Sequence, residues 1–213
     1  MGDEVTVVHL LRHGEVHNPY GVLYGRLSGY HLSEDGVLMA KAAARALADR
    51  GIATVVSSPL ERARETAAPL ADAFAVESHI DERLIEPTNH FEGLTFGVGD
   101  GSLHHPQHWL HLRNPLRPSW GEPYRQVVAR VLAAMAQARD TARGRHAVCV
   151  SHQLPIWVTR RLIESRPLWH RPDRRQCALA SITSFTYVGD RIASITYTEP
   201  AGAAARRPRV AGA

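Results

Sequence analysis

Residues 5–11, Val-Thr-Val-Val-His-Leu-Leu, form a near-continuous run of β-branched and apolar side chains without a clean polar face. A strand with one wet face alternates in polarity. A run that does not alternate marks a strand covered on both faces, as in a parallel sheet flanked by helices. Two shorter runs, 54–57 and 147–150, repeat the pattern. Helical segments lie between them. Ser33 offers an N-cap, with Glu34 and Asp35 suited to the positive helix end. The Ala-rich stretch that follows to Arg50 carries Leu38, Ala42 and Leu47 on one side, and Gly51 closes it. Ser58-Pro59-Leu60-Glu61 reads as a capping box, with proline at the first helical position of a helix ending near Phe74. Residues 124–143 carry a helical stripe of Val127, Val128, Val131, Leu132 and Met135. Residues 154–163 read as helix, and 181–188 and 192–198 as a closing pair of strands around Gly189-Asp190. Strands alternating with helices predict an α/β fold, a three-layer sandwich with a central, mostly parallel sheet and helices on both faces.

A chain of 213 residues with 44% hydrophobic content supports one sizeable core. Residues 1–200 are therefore expected to form a single domain. Helical signal disappears across 87–122, which is rich in Gly, Pro, His and Trp and too long for an idle connection. It is read as an inserted cap or lid, with Trp109 and Trp120 as its packing. The tail 201–213, made of Ala, Gly, Arg, Pro and Val, is expected to be disordered. No apolar run is long enough to span a bilayer, and Met1 to Glu4 lack the basic start of a secretory signal. The two cysteines, Cys149 and Cys177, do not suggest a disulfide framework, and Cys149 sits in an apolar run as a buried small hydrophobe. A reducing, cytoplasmic setting is the expectation. The net charge of +4 suits phosphorylated small molecules, nucleic acid or an anionic surface. No dense basic run interleaved with aromatics occurs, which argues against nucleic acid. Arg174-Arg175 reads as a solvated basic surface.

Each of the three apolar strands ends on a polar pair. The first ends on Arg12-His13, the second on Ser57-Ser58 leading into Arg62, and the third on Ser151-His152. In open parallel sheets ligands bind outside the carboxyl ends of the strands, so these groups are expected to gather on one sheet edge. Arg62 falls in the first turn of its helix, where side chains lean toward the N-terminus and can reach back over the strand ends. Two arginines, two histidines and a positive helix end form a receptor for a dianion, and the planar arginine fork suits phosphate in particular. His104, His108 and His111 have the i, i+4, i+7 spacing of a shared helix face. Pro106 interrupts them and no fourth ligand is evident, so neither a metal site nor a cofactor is expected.

Leu11-Arg12-His13-Gly14-Glu15 resembles the Arg-His-Gly signature of the histidine phosphatase (phosphoglycerate mutase-like) superfamily. Residues 57–67, Ser-Ser-Pro-Leu-Glu-Arg-Ala-Arg-Glu-Thr-Ala, are similar to its Ser-Pro-Leu-x-Arg-Ala-x-x-Thr-Ala segment, and Val150-Ser151-His152 to its Val-Ser-His segment. Tyr24-Gly25-Arg26 and the turn from Leu32-Ser33 to Gly36 fit the loop and helix start after the signature. A lone triplet is weak, whereas three segments in order, each at a strand end, are specific. The resemblance spans residues 5–187, most loosely in the cap.

The resemblance implies that His13 is the nucleophile and that Arg12, Arg62 and His152 bind the phosphoryl oxygens. Asn18 assists, although relatives more often carry this Asn one residue later. A carboxyl group protonates the leaving alkoxide and then activates water. Glu86, after the run Asp81-Glu82-Arg83-Leu84-Ile85, is the candidate acid, with Glu82 the alternative. Gln153 stands where many relatives have Gly and narrows the pocket. Arg26 lines the substrate mouth or is simply exposed. His17 and His90 lie close enough in sequence to line the pocket. The implied activity is metal-independent hydrolysis of a small phosphorylated metabolite through a phosphohistidine. Phosphoglycerate mutase-type transfer and an inactive phosphate-binding scaffold are the alternatives.

Overall fold

A computed structural model of the chain describes residues 4–95 and 121–202. Elements run in the order β1 (Val5–Arg12), α1 (Glu34–Ala46), β2 (Ile52–Ser57), α2 (Glu61–Phe74), β3 (Ser78–Ile80), α3 (Tyr124–Thr141), β4 (His146–Ser151), α4 (Gln153–Ile163), β5 (Ile182–Val188) and β6 (Arg191–Thr198). Single-turn helices occupy Ala48–Arg50, Glu82–Leu84 and Pro172–Arg174. The strands form one sheet in the order β3-β2-β4-β1-β5-β6. The first four strands pair in parallel, while β5 and β6 join antiparallel as a closing hairpin.

Alternation along β4 shows why it lacks a polar face. Ala147 and Cys149 enter the core beneath α3 and α4, together with Val8, Leu10, Val131 and Ile156. Val148 and Val150 enter the opposite core beneath α1 and α2, with Leu11, Ala43, Ala67 and Leu70. Helices therefore cover both faces, and Cys149 and Cys177 are buried and unpaired. Among the described residues no helix is long and apolar enough to cross a membrane.

Ser33 caps α1 as expected, its hydroxyl accepting from Gly36 N at 3.0 Å. Two local expectations need correction. The inward face of α1 is Met39, Ala40, Ala43 and Ala44, and Leu38 is 60% exposed. The Ala-rich sequence leaves the helical phase weakly marked, so a lone leucine misplaces the stripe. Ser58 does not cap α2. That helix starts at Glu61 from an extended Leu60 with no side-chain cap, and the Ser58 hydroxyl lies instead 2.7 Å from His152 Nε2. β3 was not anticipated: it has three exposed residues, too few to display a period.

Of the cap, residues 87–95 and 121–122 are described. Asn89 bridges to Gly121, and Thr95 to Val22. Trp109, Trp120 and the histidines at 104, 108 and 111 lie outside the described residues, as does the tail from 203.

Candidate active site

The carboxyl ends of β1, β2 and β4 are pinned side by side. His13 N donates to Ser151 O at 3.0 Å and Ser58 N to Val150 O at 2.9 Å. At this edge lies a cavity of about 140 Å³, lined by Arg12, His13, Tyr24, Arg62, Glu86 and Gln153 among others. Arg12 and Arg62 are almost wholly buried, at 2% and 0% exposure, and neither pairs with a carboxylate among the described residues. Arg12 Nη1 donates to Cys177 O at 2.7 Å, and Arg62 Nη2 to Gly25 O at 2.6 Å. Tyr24 lies beneath the Arg62 guanidinium, 4.6 Å from its ring centre, a cation–π support that holds the charge without neutralising it. Arg12 Nε, Arg62 Nε and Arg62 Nη1 are buried with no partner among the described residues. Buried donors of this kind are costly unless something accepts from them, and a tetrahedral oxyanion supplies several acceptors at once.

His13 is oriented by its own neighbour. Its Nδ1 lies 2.7 Å from Gly14 O, so that nitrogen carries the proton and Nε2 keeps its lone pair. Gly14 is fixed in turn: its N–H donates to Thr66 Oγ1 at 3.0 Å, while the Thr66 hydroxyl donates to Arg62 O at 2.7 Å. One threonine thus couples the loop after β1 to the first turn of α2. Burial, followed by Arg62 and Arg12, holds His13 well below the ordinary histidine range, although the Gly14 carbonyl opposes the shift. A ring held neutral in this way keeps an Nε2 lone pair of the kind a nucleophile needs.

His152 is fully buried, its ring centre 5.2 Å from that of His13. It does not itself line the cavity; its Nδ1 lies 3.7 Å from Glu86 Oε2, which does. Burial and then Arg62 push its basicity down as well. Glu86 shows the opposite shift: burial raises its carboxyl above the usual range, against the pull of Arg62, Arg175, Arg12 and Arg130. Glu82 is exposed and is not among the residues that line this cavity. Among the described residues no cluster of three or more His, Cys, Asp or Glu could hold a metal ion.

Several sequence candidates fall elsewhere. Asn18 uses both ends of its amide on the backbone of Val22, at 2.8 and 3.0 Å, and lies outside the cavity lining. Its short polar side chain closes the 18–22 turn. Arg26 also lies outside the lining. Its Nε donates to Glu86 O at 2.6 Å and its Nη2 approaches Glu122 at 3.4 Å, so it braces the backbone that carries Glu86. His17 and His90 are exposed and are not among the residues that line this cavity. Gln153 does line the cavity.

Sequence reasoning gave no site role to Tyr24 or Arg175, and it set Ser58 on the site edge with the wrong partner. Ser58 was assigned to a helix cap. Arg175 was assigned to solvent, but its guanidinium lines the cavity and bonds to Gln153. A lone arginine in a polar loop carries no pattern that could have revealed this.

The fold and site together define an α/β domain with an arginine-lined cavity at its sheet edge, and comparison with known proteins shows its family. Residues 8–199 match the model of the histidine phosphatase superfamily (branch 1), and the chain belongs to that family. It is 53% identical over 198 residues to an uncharacterized protein of Mycobacterium tuberculosis, covering 93% of this chain and 98% of the relative. A mycobacterial glucosyl-3-phosphoglycerate phosphatase superposes with a TM-score of 0.70 at 28% identity, covering 91% of this chain and 96% of that one. A phosphoglycerate mutase from Bacillus anthracis superposes at 0.71 with 20% identity, covering 96% and 97%, a likeness of fold alone.

Proposed function

We propose that the protein hydrolyses phosphomonoesters of small metabolites through a phosphohistidine on His13, without a metal ion. One observation carries this reading. A neutral imidazole, its Nδ1 proton committed to Gly14, stands in a cavity whose two buried guanidinium groups keep unpartnered nitrogens. Phosphoryl transfer asks mainly for positioning and charge stabilisation, and these groups supply both.

In the first half-reaction, Nε2 of His13 attacks phosphorus in line as the ester P–O bond breaks. Glu86, whose carboxyl burial raises above the usual range, gives its proton to the departing oxygen. In the second, the Glu86 carboxylate takes a proton from water, and that oxygen displaces Nε2 to release inorganic phosphate. Arg12, Arg62 and His152 stabilise the charge throughout.

The test is turnover of p-nitrophenyl phosphate in EDTA by the wild-type protein and His13→Ala. Activity in the first and its loss in the second is the expected result. Equal rates would exclude His13 as the nucleophile, and inactivity of both across a broad ester panel would point to a binding protein.

A further inference from the structure

Arg175 follows the single-turn helix Pro172–Arg174, and its guanidinium shares the cavity with Arg12, Arg62 and Glu86. Its fastening is unusual for a partly buried charge. Nε donates to His170 Nε2 at 2.9 Å, and Nη1 to Gln153 Oε1 at 3.1 Å. Both acceptors are neutral, since burial lowers the basicity of His170 to about 4. Arg83, Arg130 and Arg160 each hold a carboxylate, whereas Arg12 and Arg62 of the same cavity are braced by carbonyl oxygens. Arg175 holds none among the described residues, and its Nη2 is committed to no acceptor among them.

The charge on the cavity wall can be summed. Its described lining contains three guanidinium groups, Arg12, Arg62 and Arg175, and two carboxyl groups, Glu86 and Glu122. Glu122 is already committed: Arg130 grips both its oxygens at 2.9 and 3.0 Å, and Arg26 approaches at 3.4 Å. Glu86 enters the proposed reaction protonated and neutral. Three positive charges then face a phosphomonoester dianion that offsets two. Arg175 is only partly exposed and faces no carboxylate among the described residues, so an anion entering the cavity would supply its counter-charge.

We propose that Arg175, held by His170 and Gln153, receives a second anionic group of the substrate, a carboxylate or another phosphate remote from the ester that His13 attacks. This rests on the phosphomonoesterase reading above. The neutral acceptors fix the plane of the fork while leaving its charge for the ligand. Gln153 opens α4 directly after His152, so one helix start sets both the phosphoryl site and the second anion site, with a fixed spacing between them.

Matched ester pairs test the assignment. kcat/KM is measured for phosphoglycolate against 2-hydroxyethyl phosphate, and for 1,3-propanediol bisphosphate against 3-hydroxypropyl phosphate. The wild-type protein is expected to prefer the charged member of one pair by about tenfold or more, the size of a charge-assisted hydrogen bond. The pair that shows it separates carboxylate from phosphate. Arg175→Lys keeps a preference, and Arg175→Gln brings the ratio to about one whatever happens to the absolute rates. Gln153→Leu, which frees the fork but keeps its charge, gives a partial loss. Ratios near one for both pairs in the wild-type protein overturn the assignment and leave the hydrolase reading standing, as does a preference that survives Arg175→Gln. Absence of turnover on every ester overturns the hydrolase reading itself, and the second anion site falls with it.

Discussion

Replacing Ser58 by alanine removes one buried oxygen, the one 2.7 Å from His152 Nε2. Two tautomers fit that contact. If the hydroxyl donates, Nε2 accepts and the ring proton sits on Nδ1, facing Glu86 Oε2 at 3.7 Å. If Nε2 donates, Nδ1 presents a lone pair there instead. Burial keeps His152 neutral, so it has a single ring proton to place. A lone pair turned toward the cavity would repel a dianion, so phosphate binding selects the tautomer in which Ser58 donates to Nε2. Ser58→Ala leaves Nε2 without a partner in a wholly buried position and releases the proton to either nitrogen. Orphaning a buried polar group costs about 1–3 kcal/mol, or roughly a five- to 150-fold effect at 25 °C. We expect kcat/KM on p-nitrophenyl phosphate to fall by a factor in that range. The inhibition constant of orthophosphate should rise by a similar factor, since the same Nδ1–H serves both. If both constants stay within about twofold of wild type while the protein remains folded, Ser58 does not set the tautomer and the reasoning fails.

Three further outcomes follow from the same geometry. Glu86 must hold its proton to act as an acid, so kcat should decline as pH rises through its raised value. Glu86→Gln should abolish that limb and cost about 10²- to 10⁴-fold on an alkyl phosphate but less on p-nitrophenyl phosphate, whose leaving group needs no proton; equal losses on both esters would remove Glu86 from this role. A Cβ on Gly36 would meet Glu15 O at 2.1 Å, in the loop that carries His13. Gly36→Ala should therefore cost about 1–3 kcal/mol, or about 2–4 °C of Tm for each kcal/mol, along with activity, and an unchanged melting curve would contradict the close approach. His9 is buried between Ser184 and His146, and its basicity is lowered from 6.5 to about 3. The unfolded chain takes up that proton first, so stability should fall as pH drops below 6.5 toward 3, by several kcal/mol in all. His9→Gln should flatten the decline in urea midpoint between about pH 7 and pH 5, and parallel slopes in the two proteins would refute the assignment.

The fold was legible in the sequence because burial on both faces leaves a local mark. Residues 5–11 and 147–150 lack a polar alternate, which only a sheet covered by helices on both sides allows. Arg12, His13, Ser58, Arg62 and His152 stood at strand ends or in a first helical turn, and the geometry of parallel sheets collects such positions on one edge. Where periodicity was faint, as in α1 or the three-residue β3, the reading slipped.

What the chain order could not reveal was how polar side chains share one another. Ser58 had two competing partners, the N–H groups at the start of α2 and His152, which lies 94 positions away in sequence; only the packing of β2 against β4 put the second within 2.7 Å. Asn18 and Arg26 are as polar as any site residue, yet the closed loops commit them to Val22, Glu86 and Glu122. Arg175 passed for a surface charge because nothing local distinguishes a solvated guanidinium from one lining a cavity. The local sequence determined which segments are strands and helices and which residue types end them, since periodicity and capping act over a few neighbours. The tertiary structure decided which nitrogen of His13 carries the proton, which arginines of the cavity keep their charge free, and which carboxyl group burial makes less acidic, because desolvation and long-range hydrogen bonds exist only once distant segments meet.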